Sequence, residues 1–576
     1  MLKIAKGRMS IWAVLGSVIF MIIQVVSNLY LPNLTSDIVN NGVATGDIAY
    51  IWRVGIKMAI FALISVLAAV CNVFLAARVS QKLGSELRAD IFKKVINYSH
   101  NEMDKVGTSS LITRTTNDVV QIQNVVMMFL RMMIMAPIML IGASFLAYQK
   151  NGTLTMVFLI VIPILIVIMA LVMGFAVPLF KAMQQKTDNI NLVFREGLTG
   201  VRVIRAFRQD KFEQNRFDGV NKDYTNNAVK VFSIMAVMFP LMTLVMSGTN
   251  IGITWWGGHL IAQQAMNTGN LIAFVTYAMQ ILMSFMMLSM IFVFVPRAQA
   301  SAVRINEVLS QTTTIVNNNQ AEKIDQDMPD LHFDNVTYRY HHAENPALSD
   351  VDFHVTAGQT LAIIGGTGSG KSTLINLIPR FYDAESGAVK VNGANVKDVD
   401  LADLRRNVSM VPQKAILFAG TVRENMQYAN DNATDAEIWH ALDIAQARDF
   451  IEENPEGLDY IVEQGGDNFS GGQKQRLAIA RALIKDAAVY VFDDSFSALD
   501  FKTDANLRAA LKADPVISHR VVVIVGQRVS TVADADQIVV LDKGKMVGLG
   551  THKELLASNE VYKEIVDSQI RKGDEL

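Results

Sequence analysis

Residues Gly365-Gly366-Thr367-Gly368-Ser369-Gly370-Lys371-Ser372-Thr373 follow the pattern G-x-x-x-x-G-K-[ST]. A loop of this kind binds phosphate. Its glycines let backbone N–H groups turn inward around phosphate oxygens, and the helix start that follows adds positive potential. Lys371 has the reach for the β- and γ-phosphates of a nucleotide, and the Ser372 hydroxyl can bind Mg²⁺. The context agrees, because the strand-like run Leu361–Ile364 precedes the loop and the helix-like run Leu374–Arg380 follows it. Downstream, Val489–Phe492 ends in Asp493, a carboxylate at the tip of a buried strand and suited to the same Mg²⁺. Between the two lies Phe469-Ser470-Gly471-Gly472-Gln473, followed by KQRLAIARAL. Ser-Gly-Gly ahead of an amphipathic helix offers a hydroxyl and free N–H groups, a second anion site. An N-cap role would account for Ser470 but not for the paired glycines.

These groups must be held by an α/β unit. From residue 331 onward, short β-branched runs (LAIIG, AVKVNG, VSMVPQ, AAVYVFDD, RVVVIVG, QIVVLDKG) alternate with helical stretches, which predicts a largely parallel sheet. The N-terminal half is different. Six apolar runs of spanning length lie before residue 300: Ile11–Leu31, Val54–Ala77, Met132–Tyr148, Leu154–Phe175, Val231–Trp256 and Leu271–Val295. Val125–Leu130 can lengthen the third, and Gln149–Thr153 makes the third and fourth a tight hairpin. The whole chain of 576 residues is 51% hydrophobic and 18% charged, below the roughly 25% charged of soluble domains, and its mean hydropathy is +0.27. Lys3, Lys6 and Arg8 ahead of the first run resemble a signal peptide. The run is long enough to span and no small-residue cleavage site follows, so it reads as the first membrane helix.

Loop charge sets the orientation. Pro32–Tyr50 and Gly257–Asn270 have no Lys or Arg, whereas the segments after the second and fourth runs are rich in both. Basic loops stay inside, so both termini are expected to be cytoplasmic. The basic segments lack Pro and Gly clusters, so the helices should continue well past the bilayer. The polar, aperiodic Gln311–Asp330 reads as a linker. That divides the chain into a membrane domain (1–310), the linker (311–330) and a nucleotide-binding domain (331–576). The net charge of −2 and the lack of a basic face give no sign of nucleic-acid binding, and the single cysteine, Cys71, excludes an intrachain disulfide framework.

The Ser470–Gln473 stretch resembles the signature of ATP-binding cassette (ABC) proteins, and the likeness extends over essentially the whole chain. Six spans followed by one cassette is the layout of an ABC exporter half-transporter. The resemblance implies further roles. Tyr340, in Val336–Tyr340, matches the aromatic residue that stacks on adenine. Gln413, after Val411-Pro412, matches the glutamine that senses Mg²⁺ and links to the membrane domain. Ser497–Asp500 matches the loop that crosses the dimer interface. Ser470, Gly471, Gly472 and Gln473 would contact the γ-phosphate of ATP held by the opposite subunit. Ser109–Arg114 and Arg205–Glu213 lie where the family's coupling helices press on the cassettes.

Two positions depart from the pattern. Vigorous family ATPases have Glu directly after the strand-end Asp, and this chain has Asp494. They have His before Arg-x-Ser-Thr, and this chain has Gln527. A shorter carboxylate reaches the attacking water less well, and Gln can hydrogen-bond but cannot carry a positive charge. Both changes fall on one catalytic site, which points to a site that binds ATP and hydrolyses it slowly. The signature departs only in having Phe469 for Leu. The combination resembles the degenerate-site subunit of bacterial heterodimeric multidrug exporters. It implies an unlike partner half-transporter that carries the catalytic Glu and His, with a homodimer of two slow sites as the alternative.

The spans are rich in Met (Met127, Met128, Met132, Met133, Met135, Met139, Met283, Met286, Met287, Met290), a side chain that suits a promiscuous apolar cavity but also serves as packing filler. Arg131 either faces a cavity or snorkels to the inner interface, and Asp37 is expected outside and solvated. The reading is therefore export of hydrophobic or amphipathic compounds across a bacterial cytoplasmic membrane, in contact with its lipids. Lipid or peptide export, or an ATP-gated sensor that moves nothing, are the alternatives.

Overall fold

The computed structural model describes residues 7–289, 291–317, 329–341 and 343–569, together with Ile4 and Ile324. Met290 and half of the 311–330 linker lie outside them. The chain divides into two compact units. One comprises Met1–Ile96 and Thr108–Gln311, the other Asn97–Gly107 and Thr312–Leu576.

The first unit is helical. Among the described residues, six of its helices are long and apolar enough to cross a membrane: Ile11–Val43, Ile48–Ile96, Thr108–Lys150, Gly152–Thr199, Asp210–Ala262 and Thr268–Leu288. Five of the six apolar runs of the sequence fall within these helices, and the sixth, Leu271–Val295, starts in Thr268–Leu288 and continues past its end. The helices of 49, 48 and 53 residues are each more than 70 Å long at about 1.5 Å per residue, against an apolar bilayer thickness of about 30 Å. They therefore extend well beyond it, as the unbroken polar segments predicted. The apolar faces meet in a core built from Met21, Val25, Phe158, Phe274, Tyr277 and Ile281. Tyr277 is fully buried, and its hydroxyl donates to the Leu29 carbonyl at 2.9 Å, which satisfies a polar tip in an apolar setting.

One irregularity is locked by a side chain. Residues Phe129–Met133 form a π-helical turn, which breaks the regular ladder and frees a carbonyl. The buried Asn72 amide donates to the Leu130 carbonyl at 3.4 Å, and to the Ser17 carbonyl and hydroxyl at 2.7 and 2.9 Å. Three helices are thus pinned at one point. Arg131 sits in this turn with its side chain exposed, and the described methionines of the third span are half-buried.

The second unit is α/β. Its strands are β1 (Asp330–Tyr338), β2 (Leu348–Thr356), β3 (Thr360–Gly365), β4 (Ser386–Val391), β5 (Ala394–Asn395), β6 (Val408–Val411), β7 (Gly420–Thr421), β8 (Ile461–Val462), β9 (Val489–Asp493), β10 (Val521–Val525), β11 (Gln537–Asp542) and β12 (Lys545–Gly550). Among the described residues, ten form one sheet in the order β5-β4-β1-β2-β12-β11-β3-β10-β9-β6. The neighbours β6, β9, β10, β3 and β11 pair in parallel. They are the apolar runs of the sequence, and β9 and β10 are buried along their full length. The antiparallel β1, β2 and β4 extend the sheet. β1 alternates buried with mostly half-buried positions and β2 buried with mostly exposed ones, as a sheet with one wetter face requires.

Asn97–Gly107 belongs to this second unit, and the structure corrects the expected position of the first coupling segment. Ser109–Arg114 stays in the helical unit, where the Arg114 guanidinium donates to the Arg304 carbonyl at 2.6 Å and to Glu307 at 3.0 Å. The helix packed within the α/β unit is His100–Val106, started by a Ser99–Glu102 capping box. His100 stacks on Phe381 at 4.6 Å between centroids, and the Arg405 guanidinium lies 5.6 Å from the Phe381 centroid. An aromatic stack, not a polar loop, holds this segment. Of the linker, Thr314 donates its N–H to Glu102 at 3.1 Å and Asn317 its side chain to Asp400 at 2.6 Å. Arg205–Glu213 lies in the helical unit, with Phe207 and Phe212 exposed.

Candidate functional site

Three adjacent strands deliver the site. β3, β10 and β9 run in parallel, so their C-terminal ends lie together at one edge of the sheet, where ligands bind in open α/β folds. β3 leads into the Gly365–Gly370 loop, β10 into Gln527, and β9 ends in Asp493 and Asp494. The Gly526 N–H donates to the Ile363 carbonyl at 3.1 Å and the Asp494 N–H to the Val525 carbonyl at 3.0 Å, so the three ends are stitched together just past the ladder.

The loop is tight enough to need its glycines. A Cβ on Gly365 would come within 2.2 Å of the Leu541 carbonyl oxygen. Gly370 has φ 103° and would place a Cβ 2.9 Å from the Ala347 carbonyl oxygen. It is also the residue at which the helix Lys371–Leu377 begins. The Lys371 ammonium donates to the carbonyls of Gly365 and Gly366, both at 2.8 Å. Burial pulls the Lys371 pKa down, against the pull of Asp494 and Asp493. The Ser369 hydroxyl is buried beside Gly365 and has no hydrogen-bond partner, so the loop keeps one unsatisfied donor.

A cleft of about 520 Å³ opens here, lined by Tyr340, Pro346, Ala347, Gly368–Thr373, Lys543 and Gly544. The Tyr340 hydroxyl lies 3.0 Å from Thr373 Oγ1. Its ring stands edge-on to Tyr338 at 5.0 Å and to Tyr382 at 5.6 Å, so an aromatic face is held at the mouth of the cleft. Lys543 and Gly544 did not emerge from the sequence. The signal was there in the Lys543-Gly544 turn after β11, where both residues take positive φ and a Cβ on Gly544 would strike the Ala347 carbonyl oxygen at 2.6 Å.

The acidic side of the site is a pair. Asp493 is buried, and its pKa is pushed up to about 6 by burial and by Asp494, against a hydrogen bond from the Ser372 hydroxyl and the charge of Lys371. Asp494 has φ 48°, the left-handed region that Asp tolerates better than most residues. Its Oδ2 accepts from Gln527 Nε2 at 2.8 Å and from Gln413 Nε2 at 3.4 Å. Thus Gln413, Asp494 and Gln527 form one network beside Lys371, Ser372 and Asp493. With Gln413 donating through nitrogen, its amide oxygen is left over, and Ser372, Asp493 and Gln413 together offer the oxygen donors that Mg²⁺ prefers. The glycine cradle and the Lys371 ammonium fit polyphosphate, so the residues present suit Mg²⁺ and a nucleoside triphosphate.

Ser470–Gln473 is not part of that cleft. Ser470 caps the helix Gly471–Ile484 in a capping box: its hydroxyl accepts from the Gln473 N–H at 3.3 Å, and its own N–H donates to Gln473 Oε1 at 2.9 Å. The cap accounts for Ser470 and Gln473. Gly471 is open, with room for a Cβ, whereas a Cβ on Gly472 would lie 3.3 Å from the Ala498 carbonyl oxygen. Gly471 and Ala498 line a different cleft, of about 660 Å³, with Gln413 and Lys474. Ser497 bonds back to the Asp494 carbonyl at 2.8 Å, which ties this loop to the acidic pair.

Residues 14–285 match the ABC transporter transmembrane region, and residues 348–497 match the ABC transporter family. An uncharacterised ABC transporter ATP-binding protein of Mycobacterium tuberculosis is 41% identical over 556 residues, 95% of each chain. A multidrug resistance ABC transporter ATP-binding and permease protein of Lactococcus lactis is 27% identical over 579 residues, 100% of this chain and 95% of the other. A solved structure of a bacterial Atm1-family ABC exporter with ATP bound superposes with a TM-score of 0.81 at 25% identity, covering 98% of this chain and 99% of the other. Six spanning helices joined in one chain to a phosphate-loop ATPase unit, with relatives matching both parts end to end, place this protein in the ABC transporter family as an exporter-type half-transporter with ABC ATPase activity.

Proposed function

We propose that this chain is one half of a heterodimeric exporter that moves hydrophobic or amphipathic compounds out across a bacterial cytoplasmic membrane, and that its own ATP site is the slow one. One observation carries the slow-site reading. The carboxylate that would orient the attacking water is a short one, and two amides, Gln527 at 2.8 Å and Gln413 at 3.4 Å, share its Oδ2. Neither neighbour can accept a proton or carry positive charge, so the network holds the carboxylate in place but does little to activate water. ATP sits with adenine on Tyr340, phosphates in Gly365–Thr373, and Mg²⁺ on Ser372, Asp493 and Gln413. Ser470–Gln473 and Ser497–Asp500 close the partner's site. Because the Ser470 side chain is engaged in its capping box, the free N–H groups at Gly471 and Gly472 supply most of the contact with the partner's γ-phosphate.

The division into a membrane domain (1–310), a linker (311–330) and a nucleotide-binding domain (331–576), with both termini in the cytoplasm, belongs to the same proposal. Multidrug transport is supported by the Lactococcus lactis relative and by the Met-rich spans, among which Met279 and Met283 are well exposed. ATP-dependent accumulation of an amphipathic dye in inside-out vesicles holding this chain and its partner tests it. Accumulation that needs both chains supports a heterodimeric exporter. ATP binding without accumulation would leave a sensor, and full accumulation with this chain alone would remove the partner from the account.

A further inference from the structure

The last described helix, Glu560–Gln569, belongs to none of the site motifs, yet it packs against the segment Gln527–Val532. Its Tyr562 and Val566 are buried with Val529 and Val532, and with Ala362 and Ile364 of β3. His552 Nδ1 lies 2.6 Å from the Tyr562 hydroxyl. The helix is therefore fixed against the strand that leads into the phosphate loop. From its last turn Gln569 reaches back with both ends of its amide. Nε2 donates to the Gln527 carbonyl at 2.8 Å, and Oε1 accepts from the Val529 N–H at 2.8 Å. The two bonds straddle Arg528, and together they fix which end of the amide points where. The Val529 N–H starts the short helix Val529–Val532, a position with no intrahelical partner, so Gln569 fills a vacancy that every helix start has. The residue whose carbonyl is held, Gln527, is the one whose side chain donates to Asp494.

We propose that Gln569 is a positioning residue for ATP turnover: it holds the Gln527–Val529 backbone so that the Gln527 amide meets Asp494, and it ties the C-terminal helix to the catalytic side of the site. This rests on the reading of Asp494 and Gln527 as the slow catalytic pair. Gln569 lies away from the cleft lined by Tyr340 and the phosphate loop. Losing it should therefore alter turnover and leave nucleotide affinity alone.

The test uses the full chain in lipid nanodiscs, in the parent and in an Asp494→Glu background, with Gln569→Ala and Gln569→Glu in each. Hydrogen exchange of the 526–532 peptide and the kcat and KM for Mg-ATP are measured. The carboxylate introduced by Gln569→Glu would still accept from the Val529 N–H but could not donate to the Gln527 carbonyl. Gln569→Ala is expected to speed exchange of the 526–532 peptide and to lower kcat in the Asp494→Glu chain by about tenfold, the scale of a sub-ångström misplacement, with KM within twofold. Gln569→Glu is expected to keep much of the Val529 protection yet lower kcat similarly. Unchanged exchange and kcat in Gln569→Ala would overturn the proposal. So would a rise in KM matching the fall in kcat, which would mark general loosening. If Asp494→Glu alone fails to raise turnover, the slow-site reading falls, and exchange at 526–532 still decides whether Gln569 clamps the segment.

Discussion

Replacing Asp494 by Glu should speed ATP hydrolysis at this chain's own site. The added methylene carries the carboxylate outward by about 1.5 Å, toward the space where an attacking water must stand. Misplacement near 1 Å changes rates by about a hundredfold. Part of that is withheld, because Gln527 at 2.8 Å and Gln413 at 3.4 Å already hold the carboxylate and must give it up or follow it. The expected gain in kcat is thus about ten- to a hundredfold. The substitution has a structural cost. Residue 494 has φ 48°, and Glu is poorer there than Asp, so stability should fall by about 1 kcal/mol. The assay is phosphate release by the purified chain at saturating Mg-ATP, with Asp494→Asn as control. KM should move little, since Lys371, the glycine loop and Tyr340 are untouched. A folded, ATP-binding Asp494→Glu chain with parental kcat would refute the claim that this carboxylate limits the site.

Other outcomes follow from the same geometry. Lys371→Met removes an ammonium that caps the loop carbonyls of Gly365 and Gly366 at 2.8 Å, and binding of a fluorescent ATP analogue should weaken about ten- to a hundredfold, the worth of a charge-assisted bond. Gly370→Ala forces a Cβ to within 2.9 Å of the Ala347 carbonyl oxygen at φ 103°; it should lower stability by about 1–3 kcal/mol and reduce ATP binding, measured by thermal unfolding with and without nucleotide. Asn72→Leu strips the Ser17 and Leu130 groups of their buried donor, and should destabilise the helical unit by about 1–2 kcal/mol, read as a lower Tm in detergent while ATP affinity stays the same.

How much of this was legible in the sequence depended on how local the physics is. The phosphate loop was legible because its glycines answer a backbone demand written in a few adjacent residues. The six spans and the buried parallel strands were legible because continuous apolar runs have few other uses. β1 and β2 were not, since their buried residues alternate with exposed or half-buried ones. The position of the first cassette-bound segment was displaced for a similar reason. It is held by His100 on Phe381, a contact between residues 281 positions apart in sequence. The identities of Asp494 and Gln527 could be read, but not their bond to each other. That bond depends on neighbouring strands ending at the same height, and on a glutamine at the far end of the chain.

The central claim is that this chain holds ATP at its own site while hydrolysis runs at a site its signature closes for an unlike partner. The most direct measurement is ATP turnover of the chain alone against the chain copurified with that partner, each with and without Gly471→Glu, which fills the open helix start. Slow turnover alone, a rise of about tenfold or more with the partner, and loss of that rise in the Gly471 variant are the predicted results. Robust, transport-coupled turnover by the chain alone would contradict the account.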